Sequence, residues 1–394
     1  MKSSVFSLIQ KLYQYSKYAI NAKKVWKWPR QSEVLIYDAR GERSLLKYLH
    51  SWDPEVLHVQ NEVINMRVLL HSFFIRGKKL DAYTDCFIKK VKPKLIVTFI
   101  DNNPNFYTIS QRHVSVKTMF IQNGTRCFYN DVFELLDKSS NKALKLMTVD
   151  YMMIHGSNVG GEFARYIKGK VIPVGSLLNN SIPKYHSRQS DVVAFVSQWR
   201  KDGFSLNGIF HTHESFFRQV DKPIIEFLVK YTHEKNKQLM VIPYNHKDDS
   251  HRADEEAYFR SLVGDNVVFL EPTGPYSSYQ ALDIAGVVVG VDSTLVFEAL
   301  ARGARGAVFP IRSSLLGLKG YTYGWPVEYS DVGPFWTSHL SIEIFERIMD
   351  HLFEIDDGQW QTELVLNSYD NVITNDPENK ILMSILSQEL NSMS

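Results

Sequence analysis

Short apolar runs bounded by glycines and polar turns recur along the chain, and stretches with apolar residues at helical spacing lie between them. Glu33-Val-Leu-Ile-Tyr-Asp-Ala-Arg-Gly41 predicts a strand and turn, with a helix to about residue 51. Val56-Leu-His-Val59 predicts a short second strand, and a helix over 81–90 leads into Lys94-Leu-Ile-Val-Thr-Phe-Ile-Asp101. Three more strands are expected at Lys117-Thr-Met-Phe-Ile-Gln-Asn-Gly124, Asp150-Tyr-Met-Met-Ile-His-Gly156 and Lys170-Val-Ile-Pro-Val-Gly175. Residues 179–190 are polar, include Pro183 and read as a linker. The alternation then restarts with Val192-Val-Ala-Phe-Val-Ser197, a helix over 214–235, Gln238-Leu-Met-Val-Ile242, a helix near 253–262, Val267-Val-Phe-Leu270 and a helix near 276–285. Strands separated by helices of this length predict parallel, doubly wound sheets.

The fold expected is therefore α/β, with two Rossmann-type domains facing a central cleft. Residues 1–30 form a basic amphipathic segment, 31–178 the first domain, 179–190 the linker, 191–340 the second domain and 341–394 C-terminal helices. The last helices, around 342–355 and 379–390, are placed to cross back onto the first domain.

The most informative stretch is Gly286-Val-Val-Val-Gly-Val-Asp-Ser-Thr-Leu-Val-Phe-Glu-Ala-Leu-Ala-Arg-Gly303. It predicts a buried strand over 286–291, a turn at Asp292-Ser293-Thr294 and a helix over 295–302 stopped by Gly303. Asp and Ser oxygens accept hydrogen bonds from the unpaired amides of a helix start. Those amides and the positive end of the helix dipole also favour phosphate. Glu298, one turn further in, stands where it could reach a ribose hydroxyl. A capped helix with a solvated Glu explains the same residues.

Charge and composition narrow the partners. The chain has 394 residues, 22% charged and 44% hydrophobic, within the range of soluble globular proteins. A net charge of +2 offers no global basic excess, so nucleic acid is not expected as a partner. With only Cys86 and Cys127 there is no disulfide framework or cysteine zinc pattern, and no run approaches the ~20 apolar residues of a membrane span. A cytoplasmic location is expected. Residues 1–30, however, carry Lys2, Lys11, Lys17, Lys23, Lys24, Lys27 and Arg30 and no acid. Val5, Ile9, Leu12, Tyr13, Ala19 and Ile20 share one helix side, and Trp26 and Trp28 follow. That composition suits a helix on an anionic membrane surface, and equally a helix packed on the body of the protein with a solvated basic face.

Polar clusters fall at the predicted C-terminal ends of strands, where open α/β sheets bind ligands. They are Asp101-Asn102-Asn103-Pro104-Asn105, Gln122-Asn123-Gly124-Thr125-Arg126, His155-Gly156, Ser197-Gln198-Trp199-Arg200, Tyr244-Asn245-His246-Lys247-Asp248-Asp249, Glu271-Pro-Thr-Gly274 and Asp292-Ser293-Thr294. Phe120-Ile-Gln-Asn-Gly124, Gly175-Ser176-Leu-Leu-Asn179-Asn180, Phe195-Val-Ser-Gln-Trp-Arg200 and Val291-Asp-Ser-Thr-Leu-Val-Phe-Glu-Ala-Leu-Ala-Arg-Gly303 occur in that order. Together, and with Gly324-Trp325-Pro326, this set resembles the bacterial surface-carbohydrate glycosyltransferases of the two-Rossmann GT-B type. The layout is similar to that of the Kdo (3-deoxy-manno-octulosonic acid) transferases and, more distantly, of the teichoic-acid glycerophosphotransferases. The latter have Asp-Tyr-Ser-Ser where this chain has Asp292-Ser293-Thr294.

The resemblance implies a nucleotide-activated sugar, most simply CMP-linked Kdo, on the second domain, with a glycan or lipid-linked glycan acceptor entering from the first. It implies that Ser293 and Thr294 hold the donor phosphate and Glu298 the ribose. Gln198 and Arg200 would line the donor site with Ser197, and Gln122, Asn123 and Gly124 would face the reacting carbon. The charge developing on the leaving nucleotide calls for a helix N-terminus and cations such as Arg200, His246 or Lys247. No cofactor beyond the sugar nucleotide is implied. No metal is expected either: Asp248 and Asp249 are adjacent rather than spaced as ligands, and His211, His213 and Glu214 lack a further partner. The catalytic carboxylate is open between Asp101, Asp248 and Asp249, each of which also reads as a turn or loop residue. A nucleotide-sugar epimerase or glycerophosphotransferase on the same architecture, or a non-catalytic membrane-associated assembly protein, fits the same pattern.

Overall fold

The computed structural model describes residues 22–60, 62–74, 79–129, 131–185, 188–201, 204–206, 209–245 and 250–391. Two parallel sheets organise them. The first has six strands in the spatial order Glu55–Leu57, Val34–Tyr37, Leu95–Thr98, Lys117–Ile121, Thr148–Ile154 and Lys168–Pro173. The second has five, in the order Val268–Phe269, Gln238–Ile242, Gln189–Val196, Ala285–Gly290 and Gly306–Val308. Neighbours within each sheet run parallel.

The central strands read as unbroken apolar runs because helices cover both faces. Val34–Tyr37, Leu95–Thr98 and Ala285–Gly290 are buried at every position. The first sheet has a core on each face, one built on Leu35, Ile96, Phe120 and Phe163, the other on Val34, Val97, Met119 and Leu386. The second sheet carries one large core that includes Phe195, Val288, Phe309 and Phe345.

In both sheets the strand order reverses beside the first strand. The reversal lies between Val34–Tyr37 and Leu95–Thr98 in one sheet, and between Gln189–Val196 and Ala285–Gly290 in the other. Such switch points leave a crevice beyond the strand ends that suits a ligand.

The segment 179–190 is no free linker. Asn179 and Asn180 are buried, and the guanidinium of Arg302 donates to the carbonyls of Ile182 (3.0 Å) and Pro183 (3.0 Å) while pairing with Asp283. Its asparagines are tied to protein: Asn180 Nδ2 donates to the Val174 carbonyl at 2.6 Å, and Asn179 Oδ1 accepts from Arg302 Nη1 at 3.3 Å. The chain closes by crossing back: Ile342–Glu354 packs on the second core through Phe345, Ile348, Met349 and Leu352, and Lys380–Asn391 packs on the first sheet through Leu382, Leu386 and Leu390. On the way, Thr374 N–H donates to the His155 carbonyl at 2.8 Å and Asn379 Nδ2 to Tyr48 Oη at 2.7 Å.

Two small elements escaped the pattern of the sequence: a parallel pair, Lys23–Val25 with Val63–Asn65, and a hairpin of Phe204–Leu206 with Ile209–His211. Three-residue strands carry too few residues for periodicity to show. Of the basic N-terminal segment, residues 1–21 lie outside the described residues; Trp26 and Trp28 are exposed, the latter with Lys90 Nζ 4.3 Å from its ring. Among the described residues no helix is long and apolar enough to cross a membrane.

Candidate active site

A cavity of about 730 Å³ lies between the two sheets, at their strand ends. One wall starts from the strand Ala285–Gly290 and the helix Thr294–Ala301. Ser293 caps that helix in an extended conformation (φ −66°, ψ 139°), its Oγ accepting from Leu295 N–H at 3.3 Å. Just before it, Asp292 accepts from Arg312 Nη1 at 2.6 and 2.8 Å. Arg312 is buried, its guanidinium 5.1 Å from the rings of both Phe216 and Phe217.

The facing wall comes from the first domain. Thr125 N–H donates to Thr294 Oγ1 at 2.9 Å, and the two hydroxyls lie 3.0 Å apart. A Cβ on Gly124 would stand 3.3 Å from Thr294 Oγ1, so the small residue lets the two domains meet here. Gln122 is spent on shaping this loop: Nε2 donates to the Gly124 carbonyl (2.7 Å) and Oε1 accepts from His155 N–H (2.8 Å). Arg126 holds Asp101 with both Nε (2.8 Å) and Nη2, and donates to Asn123 Oδ1 at 2.6 Å. Burial alone would lower the affinity of Arg126 for its proton, but Asp101 and Asp131 more than offset this and raise it.

His155, at the end of the strand Thr148–Ile154, is buried against the cavity, and neither ring nitrogen has a partner among the described residues. Burial, reinforced by the charge of Arg126, pushes its pKa down to about 3, so the imidazole is neutral.

Residues 119–390, most of the chain, match the O-antigen biosynthesis protein family. The chain belongs to that family. No curated protein matches it. Among solved structures it is similar to a UDP-GlcNAc 2-epimerase from Methanocaldococcus jannaschii, at 11% identity and a TM-score of 0.50 over 90% of this chain and 99% of that one. It is also similar to a glycosyltransferase from Rickettsia africae ESF-5, at 11% identity and a TM-score of 0.50 over 94% and 99% of the two chains. These likenesses show the GT-B type of fold.

The matched region runs from before Gln122 to beyond Arg312, and so takes in both walls. Gln122, Asn123, Ser197, Gln198, Arg200, Asp292, Ser293, Thr294 and Glu298 all line the cavity; Asp101 and Gly124 sit behind its surface. His246, Lys247, Asp248 and Asp249 lie outside the described residues.

Several roles expected from the sequence meet a different geometry. Asp101 is fully buried, its oxygens accepting from Arg126 and from Asn123 N–H (3.2 Å), so it organises the loop and does not itself line the cavity. Glu298 is not solvated: it lines the cavity but is buried, accepting from Ser176 Oγ and from Tyr279 Oη (2.9 Å). Burial pushes its pKa up to about 7 against those hydrogen bonds and Arg302. Ser197 Oγ donates to Glu255 Oε1 at 2.5 Å, and Glu255 also accepts from Tyr244 N–H (2.9 Å) and Asn245 N–H (3.0 Å), fixing the loop after Gln238–Ile242. Gln198 presents an unpartnered Oε1 among the described residues, and Arg200 is exposed, lying 5.3 Å over the ring of Tyr244. That ring and proline-rich wall, with Pro243 and Pro272, suits a planar base.

The sequence reading gave no role to Arg312, Ser176 or Glu255. Only Ser176 had a signal, in its position after Gly175. Among the described residues no group of three His, Cys, Asp or Glu side chains is placed to hold a metal.

Proposed function

We propose that this protein is a glycosyltransferase, moving a sugar from a nucleotide-activated donor on the second domain to a bacterial surface glycan that enters from the first. The observation that carries the reading is the cleft. It lies at the switch points of two facing doubly wound sheets, with a capped helix N-terminus on one wall and an unpartnered neutral imidazole on the other. Membership of an O-antigen biosynthesis family supports a surface glycan as the product. The motif resemblance supports CMP-linked Kdo as donor, and the basic segment 1–30 supports access to a lipid-linked acceptor at an anionic membrane surface.

In this reading the leaving phosphate sits at the start of Thr294–Ala301, whose amides and dipole stabilise the charge it gains. His155 takes the proton of the acceptor hydroxyl in place of Asp101, because Asp101 is fully buried in its ion pair with Arg126, and withdrawing it would leave that buried cation only the longer contact to Asp131 (3.6 Å). An anionic donor bound beside His155 raises its proton affinity from the low value of the free protein. His155→Gln should lower the transfer rate by ~10²–10⁴-fold while leaving donor affinity within a few fold. Transfer from CMP-Kdo and from UDP-sugars to purified lipid-linked glycan, with product analysis by mass spectrometry, checks both points. Wild-type-like turnover in the variant contradicts the role of His155, and epimerised donor with no transfer would favour the epimerase reading.

A further inference from the structure

A group that the cleft's capped helix does not account for stands beside it. Arg312 is 2% exposed, and its side chain belongs to the cavity wall. Only Nη1 is satisfied, by both oxygens of Asp292. Nε and Nη2, the edge that can grip two oxygens at once, have no partner among the described residues. Asp221, a buried acid that feels the charge of Arg312, accepts from Tyr258 Oη at 3.4 Å and makes no hydrogen bond to this edge. Phe216 and Phe217 hold the guanidinium at 5.1 Å and can accept no hydrogen bond of ordinary strength from it. Unmade hydrogen bonds of a buried guanidinium cost free energy, so an arginine kept only to neutralise Asp292 would be expected to turn its second edge to water or a carbonyl. Here the edge has donors, no acceptor, and an adjoining cavity that also holds the amide-rich start of Thr294–Ala301.

We propose that the Nε–Nη2 edge of Arg312 is an oxyanion-binding site of the cleft, gripping two oxygens of an anionic group of the sugar nucleotide. Asp292 sets its orientation by anchoring Nη1. The proposal rests on the nucleotide-sugar reading and deepens it by naming the group that recognises the charge. Two anions of such a donor share the required chemistry, the phosphate of the nucleotide and the carboxylate of an acidic sugar.

The test is calorimetric binding of matched pairs to the full chain: CMP against cytidine, UDP against uridine, and Kdo against its methyl ester. Wild type should prefer the charged member of one pair. Arg312→Gln should reduce that preference on the order of ten- to a hundredfold, the size expected for losing a charge-assisted bidentate contact, without weakening the uncharged member equally. Loss confined to the nucleotide pairs identifies the phosphate as the anion; loss confined to the Kdo pair identifies the carboxylate. Because Arg312→Gln leaves Asp292 unpaired, Asp292→Asn and the double variant Asp292→Asn/Arg312→Gln are measured beside it, each with a melting curve. If Arg312 only neutralises Asp292, the loss in Arg312→Gln comes from the bare Asp292 charge and the double variant regains the preference; that result overturns the proposal, which expects the double variant to stay without it. So does an undiminished preference in a folded Arg312→Gln. Wild type that binds none of the six ligands overturns the nucleotide-sugar reading itself, and the proposal with it.

Discussion

Glu298 shows what burial does to a single side chain in this site. Its two hydrogen-bond donors, Ser176 and Tyr279, come from different parts of the chain, and burial still holds its pKa up at about 7 against a usual 4.5. A carboxyl whose pKa is raised by folding favours the native state fully at pH below about 4.5 and loses that contribution as pH rises through about 7. Glu298→Gln keeps the shape and cannot ionise. Its stability relative to wild type should therefore climb between pH 4.5 and 7, by at most roughly 3–4 kcal/mol, since one pKa unit is worth about 1.4 kcal/mol. Using the difference between the two proteins cancels the other titrating groups, including Asp221, which burial also lifts to about 7. Urea unfolding of both proteins at pH 5 and pH 8 checks this, and a constant difference contradicts it. The sequence placed Glu298 correctly on its helix, yet did not show its partners. Ser176 lies 122 residues away, and no local pattern announces so distant a partner. The same holds for Thr125 and Thr294, which meet across 169 residues.

At the scale of elements, the strands were legible because a buried parallel strand must be apolar on both faces, and the cap at Ser293 because few residues serve there. What the pattern missed is how the C-terminal chain clasps the two domains. Thr374 reaches the His155 carbonyl, and Gly175 N–H reaches the same carbonyl at 3.2 Å. Gly175 sits at φ +73°, and a Cβ there would stand 2.0 Å from the Thr374 carbonyl oxygen. Gly175→Ala should cost roughly 2–4 kcal/mol, combining left-handed strain with displacement of the crossing strand from His155. The urea midpoint measures it, and an unchanged midpoint would show that the crossing segment moves aside freely. Polar composition hid this clasp, since Asn180 and Asn379 look like surface residues until their amides are seen bonded to Val174 O (2.6 Å) and Tyr48 Oη (2.7 Å).

For the whole molecule, the two sheets face each other so that both switch points open on one cavity, and membership of an O-antigen biosynthesis family gives that cavity its context. A cavity that takes a sugar nucleotide should also hold the nucleotide alone. The direct measurement is thermal stabilisation of the purified chain by CMP, CDP, UMP, UDP and GDP, with and without Mg²⁺. A ligand at ~100 times its dissociation constant adds about 2.7 kcal/mol to the native state, readily seen as a raised melting temperature. Such a shift is expected with at least one nucleotide, CMP first, and should be reduced in Arg312→Gln. No shift with any of the five would contradict it and leave the cleft of this fold serving a non-catalytic role.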